Sequence, residues 1–191
     1  QGRTQLEAVC AVRSITRAFV YDGVQEQAAR YAEEMRSRGG HIPEDVRVAA
    51  SPEEAVRQAD VICTATTSST PVFDGRTVRP GTHINAVGAY TPQMQEVDEE
   101  TIRRAKVVID SRQASLAEAG DLLIPLRRGH FTEAHNHAEI GEIVLGRKPG
   151  RESDQEITYF KSVGVAVQDV AAARRVLDRA AELGLGVEVD L

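Results

Sequence analysis

Two residues near the start of the chain stand at a spacing that suits nucleotide chemistry. Gly2 opens a helical pattern, and a short β-branched run closes on Asp22 twenty residues later. In a dinucleotide fold, a glycine at that helix start lets the helix pack on the sheet, and an acid about 20 residues on accepts hydrogen bonds from ribose hydroxyls. The earlier glycines and the strand of such a loop are not in the sequence, and a surface aspartate that merely ends a strand satisfies the same spacing. A second signal lies in three segments: Thr64-Ala65-Thr66-Thr67-Ser68, Ile84-Asn85-Ala86-Val87-Gly88-Ala89-Tyr90 and Phe160-Lys161-Ser162-Val163-Gly164. Small and hydroxyl-bearing residues at the carboxyl ends of parallel strands are where an open α/β sheet lets a ligand approach its backbone. Turn chemistry accounts for any one of them alone. Three at successive strand ends favour a site.

The elements that must hold these residues alternate between short β-branched runs and helical patterns, the signature of βαβ units in a parallel sheet. Strands are expected near Arg17–Tyr21, Val46–Ala49, Val61–Ala65, His83–Val87, Val107–Asp110 and Ile157–Lys161. Val61–Ala65 and Val107–Asp110 carry no alternation, as expected of strands covered on both faces. Gln25–Ser37 reads as an amphipathic helix with Ala28, Tyr31, Ala32 and Met35 on one face. Ser51-Pro52-Glu53-Glu54 opens the next helix as a capping box. Asp98–Ala105 and Ala138–Leu145 read as short helices, and Asp169–Leu183 as a long one that ends at Gly184 before an extended Val187–Val189.

Length and composition narrow the function classes. The 191 residues, 41% of them apolar, suit a single core. The 23 Lys and Arg against 29 Asp and Glu give a net charge of −6, with basic residues grouped only in short runs such as Arg127-Arg128 and Arg147-Lys148, which argues against nucleic acid as a partner. The longest uncharged stretches, Val61 to Phe73 and Pro80 to Gln95, are too short and too polar to span a bilayer, so a soluble chain without a membrane partner is expected. Two cysteines, Cys10 and Cys63, form no disulfide framework or zinc motif and fit a reducing cytoplasm. His130, His135 and His137 share one polar stretch, but no ordered carboxylate or thiol completes a metal site, and none is expected. Glu139 and Glu142 stand three apart on a helix face, where capping or solvation is the common role. Gln rather than Met stands at residue 1, with no basic or apolar leader behind it, which suggests a cut from a longer protein.

The ordered series Gln1-Gly2, Tyr21-Asp22, Thr64-Ala65-Thr66, Asn85-Ala86-Val87-Gly88, Glu96-Val97-Asp98, Glu118-Ala119-Gly120-Asp121, Ala138 to Ile143, Gly146 to Gly150 and Phe160 to Gly164 resembles the ornithine cyclodeaminase and μ-crystallin family. The resemblance covers essentially the whole chain. It implies an α/β, doubly wound, mostly parallel Rossmann-like sheet whose first strand and N-terminal substrate and dimerisation domain lie upstream. Residues 1–165 would form the dinucleotide-binding domain, and 166–191 a C-terminal helix and tail packing toward the substrate domain. It further implies a homodimer and an NAD(P) cofactor used on a small amino acid or imine.

Within that resemblance, Gln1, Gly2, Asp22, Thr64, Ala65, Thr66, Ile84, Asn85, Ala86, Val87, Gly88 and Ser162 would meet the cofactor, and Val163 the substrate. Ile84 to Gly88 would pass beneath the nicotinamide. Asp22 should favour NAD over NADP, since its carboxylate repels a 2′-phosphate and no arginine follows to receive one. Cyclodeaminases of the family carry a catalytic Asp two residues after the glycine of Asn85-Ala86-Val87-Gly88, and Tyr90 stands there instead, as the candidate catalytic residue. A phenol does not replace a carboxylate of low pKa. The substitution moves the expectation toward ketimine or Δ1-pyrroline-2-carboxylate reductases and alanine dehydrogenases. A cyclodeaminase that recycles its NAD, and a crystallin-like binding protein without turnover, are the alternatives.

Overall fold

A computed structural model describes residues 1–187 and 189. Seven strands alternate with eight helices among those residues: α1 (Gly2–Val12), β1 (Ala18–Val20), α2 (Gln25–Arg38), β2 (Val46–Val48), α3 (Pro52–Arg57), β3 (Val61–Thr64), β4 (His83–Ala86), α4 (Glu99–Arg104), β5 (Lys106–Ile109), α5 (Arg112–Glu118), α6 (Gly120–Arg127), β6 (Asn136–Glu139), α7 (Ile140–Val144), β7 (Thr158–Lys161) and α8 (Ala166–Leu183). Every strand pairing is parallel. β1 and β2 form one sheet, and β3-β4-β7-β5-β6 form a second. This is the doubly wound α/β arrangement. Among the described residues each of β1 and β3 has one partner only, so the two sheets part between these strands.

The core lies on one side of the larger sheet, where Ile62, Ile84, Ala86, Val107, Ile109 and Tyr159 pack with Val97, Ile102 and Leu122 from the connections. Burial alternates along β4 and β7, so Ile84, Ala86, Tyr159 and Lys161 face this core. β5 is buried on both faces after its first residue, as its apolar run predicts. β3 is not: Cys63 is exposed between buried Ile62 and Thr64, because the second face of the sheet is open there.

Local signals mostly behave as physical chemistry dictates. Ser51 accepts the Glu54 amide at 3.2 Å with Pro52 in the first turn of α3, while Glu54 reaches back to the amide of Ala50. Asp98 caps α4 at the Thr101 amide. Two expectations need correction. The helix read over Ala138–Leu145 is a strand as far as Glu139 and a helix only from Ile140, since Ala138 pairs with Val108 of β5. The segment around the motif Glu118-Ala119-Gly120-Asp121, given no secondary structure from the sequence, forms α5 and α6. α8 begins three residues before Asp169. The extended tail expected over Val187–Val189 includes Glu188, which lies outside the described residues.

Candidate functional site

The three strand tails do converge. In register, Thr64 of β3 lies beside Ala86 of β4, Ala86 beside Lys161 of β7, and Lys161 beside Ile109 of β5. The ladder continues one residue further: the amides of Val87, Ser162 and Asp110 donate to the carbonyls of Thr64, Ala86 and Lys161 at 3.0, 3.2 and 3.1 Å. Ala65, Val87, Ser162 and Val163 are half-buried there, and Thr66 and Tyr90 are exposed.

Three acidic side chains fix this edge. Glu96, fully buried, accepts the Thr64 hydroxyl at 2.9 Å and the amides of Thr66, Gly88 and Ala89 at 2.5, 2.7 and 3.1 Å. It thereby ties the tail of β3 to the tail of β4. A side chain at Gly88 would run into Glu96 Oε1 and the Thr66 carbonyl, so only glycine lets the carboxylate come this close. Asp121, also fully buried, accepts the amides of Glu96 and Val97 at 2.7 and 3.0 Å on one oxygen. Its other oxygen takes the Tyr159 hydroxyl at 3.2 Å and lies 3.1 Å from the Lys161 ammonium. Burial, with the Asp121 charge second, holds the Tyr159 hydroxyl far above its usual pKa, so it remains a donor. Asp110 closes the tail of β7: its Oδ2 accepts Ser162 Oγ and the amides of Val163 and Gly164, and its Oδ1 accepts the Ser111 amide and Ser115 Oγ.

These carboxylates change what the predicted residues can offer. The Thr64 and Ser162 hydroxyls donate inward, to Glu96 and Asp110. Ile84 and Ala86 are fully buried in the core and support the edge from below. Asn85 points to the opposite face, where its side-chain oxygen meets His83 at 3.1 Å; burial lowers the pKa of that imidazole. The sequence reading missed Glu96, Asp110, Asp121 and Lys161 as functional supports. Glu96, Asp121 and Lys161 stand within the motifs that carry the family resemblance, but nothing in the residues themselves gave them this role.

The other half of the site is open. Gln1 precedes α1, and no side chain caps that helix. Gly2 has ordinary room: a Cβ would sit 3.5 Å from the Tyr31 ring, whose hydroxyl donates to the Gly2 carbonyl at 2.8 Å. Asp22 is exposed beyond β1 and accepts the Val24 amide at 2.7 Å on one oxygen. The first-turn amides of α1 for a diphosphate, an exposed carboxylate for ribose hydroxyls and locked backbone tails for an aromatic ring are groups that fit a dinucleotide.

The three histidines bond elsewhere, whereas Glu139, at the end of β6 beside Ile109, accepts the Arg112 amide at 2.6 Å. His130 pairs with Glu99 at 2.7 Å, while His135 and His137 meet the carbonyls of Ile102 and Pro149. Glu139 and Glu142 form the capping box of α7.

The chain resembles known proteins along its length. It is 43% identical over 191 residues to a Δ1-pyrroline-2-carboxylate reductase of Bacillus cereus (strain ZK / E33L), covering all of this chain and 58% of that protein. It is 36% identical over 189 residues to the alanine dehydrogenase of Archaeoglobus fulgidus, covering 99% and 56%. The structure of Thermococcus litoralis Δ1-pyrroline-2-carboxylate reductase in complex with NADH and L-proline superposes with a TM-score of 0.92 at 44% identity, covering 99% of this chain and 58% of that one. The chain thus spans somewhat over half the length of the relatives it matches. The model of the ornithine cyclodeaminase/mu-crystallin family matches residues 1–184, and the chain belongs to that family.

Proposed function

We propose that the protein carrying this chain is an NAD-dependent oxidoreductase that moves a hydride to or from the Cα of a small cyclic imine or amino acid. The observation that carries this reading is the carboxyl edge of the larger sheet, where the tails of β3 and β4 are locked by one buried carboxylate; the start of α1 and the exposed Asp22 after β1 support it. Support comes from relatives named as pyrroline-2-carboxylate reductase and alanine dehydrogenase, and from one solved with NADH and L-proline.

The first-turn amides beyond Gln1 and Gly2 face the diphosphate. Asp22 accepts from the ribose hydroxyls and disfavours NADP. The tails Thr64-Ala65-Thr66 and Ala86-Val87-Gly88, with Ile84 and Asn85 behind them, form the floor. Ser162 and Val163 stand at the nicotinamide end, Val163 against the substrate, and Tyr90 offers its hydroxyl to the substrate. Bound NAD supplies or accepts the hydride, and the chain's part is to place the reacting carbon against it and exclude water. Residues 1–165 act as the dinucleotide-binding domain. Residues 166–191 pack toward a substrate domain, in keeping with the exposure of Val167, Val170 and Leu177 on α8. A homodimer through that domain and a cytoplasmic setting complete the reading.

The test uses the intact protein with NADH and Δ1-pyrroline-2-carboxylate. Stoichiometric NADH consumption with formation of proline is expected. Conversion of ornithine to proline without net NADH change would make it a cyclodeaminase, and no turnover with either substrate would make it a binding protein. Tyr90→Asp should change kcat for imine reduction more than NADH affinity, because the position faces substrate.

A further inference from the structure

We infer that Glu96 is a positioning residue that sets the shape of the turn presenting Tyr90, and that buried Lys161 holds Glu96 in place through Asp121. The chain of contacts is continuous. The Lys161 ammonium lies 3.1 Å from Asp121 Oδ2, Asp121 Oδ1 takes the amides of Glu96 and Val97, and the Glu96 side chain takes those of Thr66, Gly88 and Ala89. Ala89 immediately precedes exposed Tyr90, so pinning the amides of Gly88 and Ala89 fixes the two peptide planes that lead into the residue before the phenol.

Packing alone does not account for Lys161. It is fully buried, and its ammonium has no partner in hydrogen-bonding geometry among the described residues; the Asp121 contact is an ion pair off the donor axis. A methionine of similar length would fill that volume without the desolvation of a charge. What the lysine adds is a fixed charge at the last residue of β7, one position before Ser162 and in register with Ala86. One cation therefore couples the two ends of the tail region: the turn after β4 and the turn after β7. Glu96 cannot be exchanged for its amide without loss. In Glu96→Gln the side-chain NH2, placed where Oε1 now stands, would confront the Thr66 amide, donor against donor; placed at Oε2 it would confront the amides of Gly88 and Ala89.

The activity part of the test rests on the reductase reading, whereas the exchange part does not. Amide hydrogen exchange is followed by mass spectrometry in the intact protein and in Glu96→Gln and Lys161→Met. Glu96→Gln should speed exchange about tenfold or more at segments 64–68 and 87–91 and leave 106–109 unchanged, because buried donors to a charged acceptor lose their partner. Lys161→Met should give the same pattern at smaller amplitude. In NADH-linked imine reduction, Glu96→Gln should lower kcat about tenfold with KM for NADH changed less than about threefold. Tyr90→Phe should then cost little more in that background, since the phenol is already misplaced. Unchanged exchange at the two segments overturns the inference. So does faster exchange throughout the sheet with kcat and KM following the folded fraction. An intact protein that turns over no imine overturns the reductase reading alone, and the exchange pattern still decides the positioning role.

Discussion

At the carboxyl end of the larger sheet, Glu96, Asp110 and Asp121 are buried and each gathers several donors. Beside the two-stranded sheet, Arg3, Glu34, Arg38 and Glu7 join α1 to α2 on the surface, and Arg17 and Arg47 share Asp45. Both regions use acidic side chains to hold strand ends, but in different solvents. A carboxylate away from water and aimed at backbone amides fixes a peptide plane, and losing it leaves those amides unpaired. An exposed arginine–carboxylate pair exchanges with water and salt and holds little. The nicotinamide half of the proposed cleft thus rests on a rigid frame, and the adenosine half on one that can adjust.

The largest effect expected from this contrast is at Asp121. Asp121→Ala leaves the Lys161 charge uncompensated in the core and frees two buried amides, and should cost about 3–5 kcal/mol of unfolding free energy in denaturant titrations. Combining Asp121→Leu with Lys161→Met should recover a good part of that loss, because no charge is left alone. A loss for Asp121→Ala no greater than that for Glu34→Ala would erase the distinction between the two regions.

A change on the adjustable side should alter specificity and spare the fold. Combining Asp22→Ser with Gly23→Arg removes the repulsion of a 2′-phosphate and supplies a partner for it. Gly23 has open space around its Cβ position and does not sit at a positive φ, so the larger side chain fits there. A serine hydroxyl in place of the Asp22 carboxylate can still receive the Val24 amide, so the turn is kept. The NADP-to-NAD ratio of kcat/KM should rise about tenfold or more with the melting temperature nearly unchanged. An unchanged ratio in a folded variant would remove Asp22 from the ribose.

The sequence made the periodic and local features legible. Alternating β-branched runs placed six of the seven strands, the Ser51 and Asp98 caps were visible as residue types, and glycine-bearing tails marked the edge. β6 escaped because Asn136-His137-Ala138-Glu139 is polar, and only its pairing with β5 makes it a strand. The buried carboxylates escaped for a related reason. An acid in a sequence reads as surface, and nothing local reveals that Glu96 faces amides 30 residues upstream. The exposure of Cys63 likewise depends on what covers the sheet and not on the apolar run around it.

The smallest effect expected lies in the surface network, where the sign is set by one carboxyl. Hydrogen bonds from Arg3 and then Arg38 hold the Glu34 carboxyl down to about 2, below its ordinary 4.5. A folded-state value depressed in this way contributes stability that is fully present above about 4.5 and is lost as the pH falls through about 2. His83 also has a lowered value, but as a base: burial disfavours its charged form, so stability falls as the pH drops below its ordinary 6.5. The His83 window opens at the higher pH, and acid unfolding should therefore show a His83 contribution first and the Glu34 contribution only below about 4.5. Glu34 lies at the surface, so Glu34→Gln should shift the urea midpoint at neutral pH only slightly. That shift should shrink further in about 1 M salt, where the screening length is about 3 Å, and should fall away as the pH drops through about 2, where the Glu34 carboxyl becomes neutral. Urea midpoints at neutral pH and near pH 2, each at low and high salt, measure it. A shift that survives both salt and acid would mean that Glu34 holds α1 to α2 by packing, and the adjustable half of the molecule would then be as firmly built as the sheet beside it.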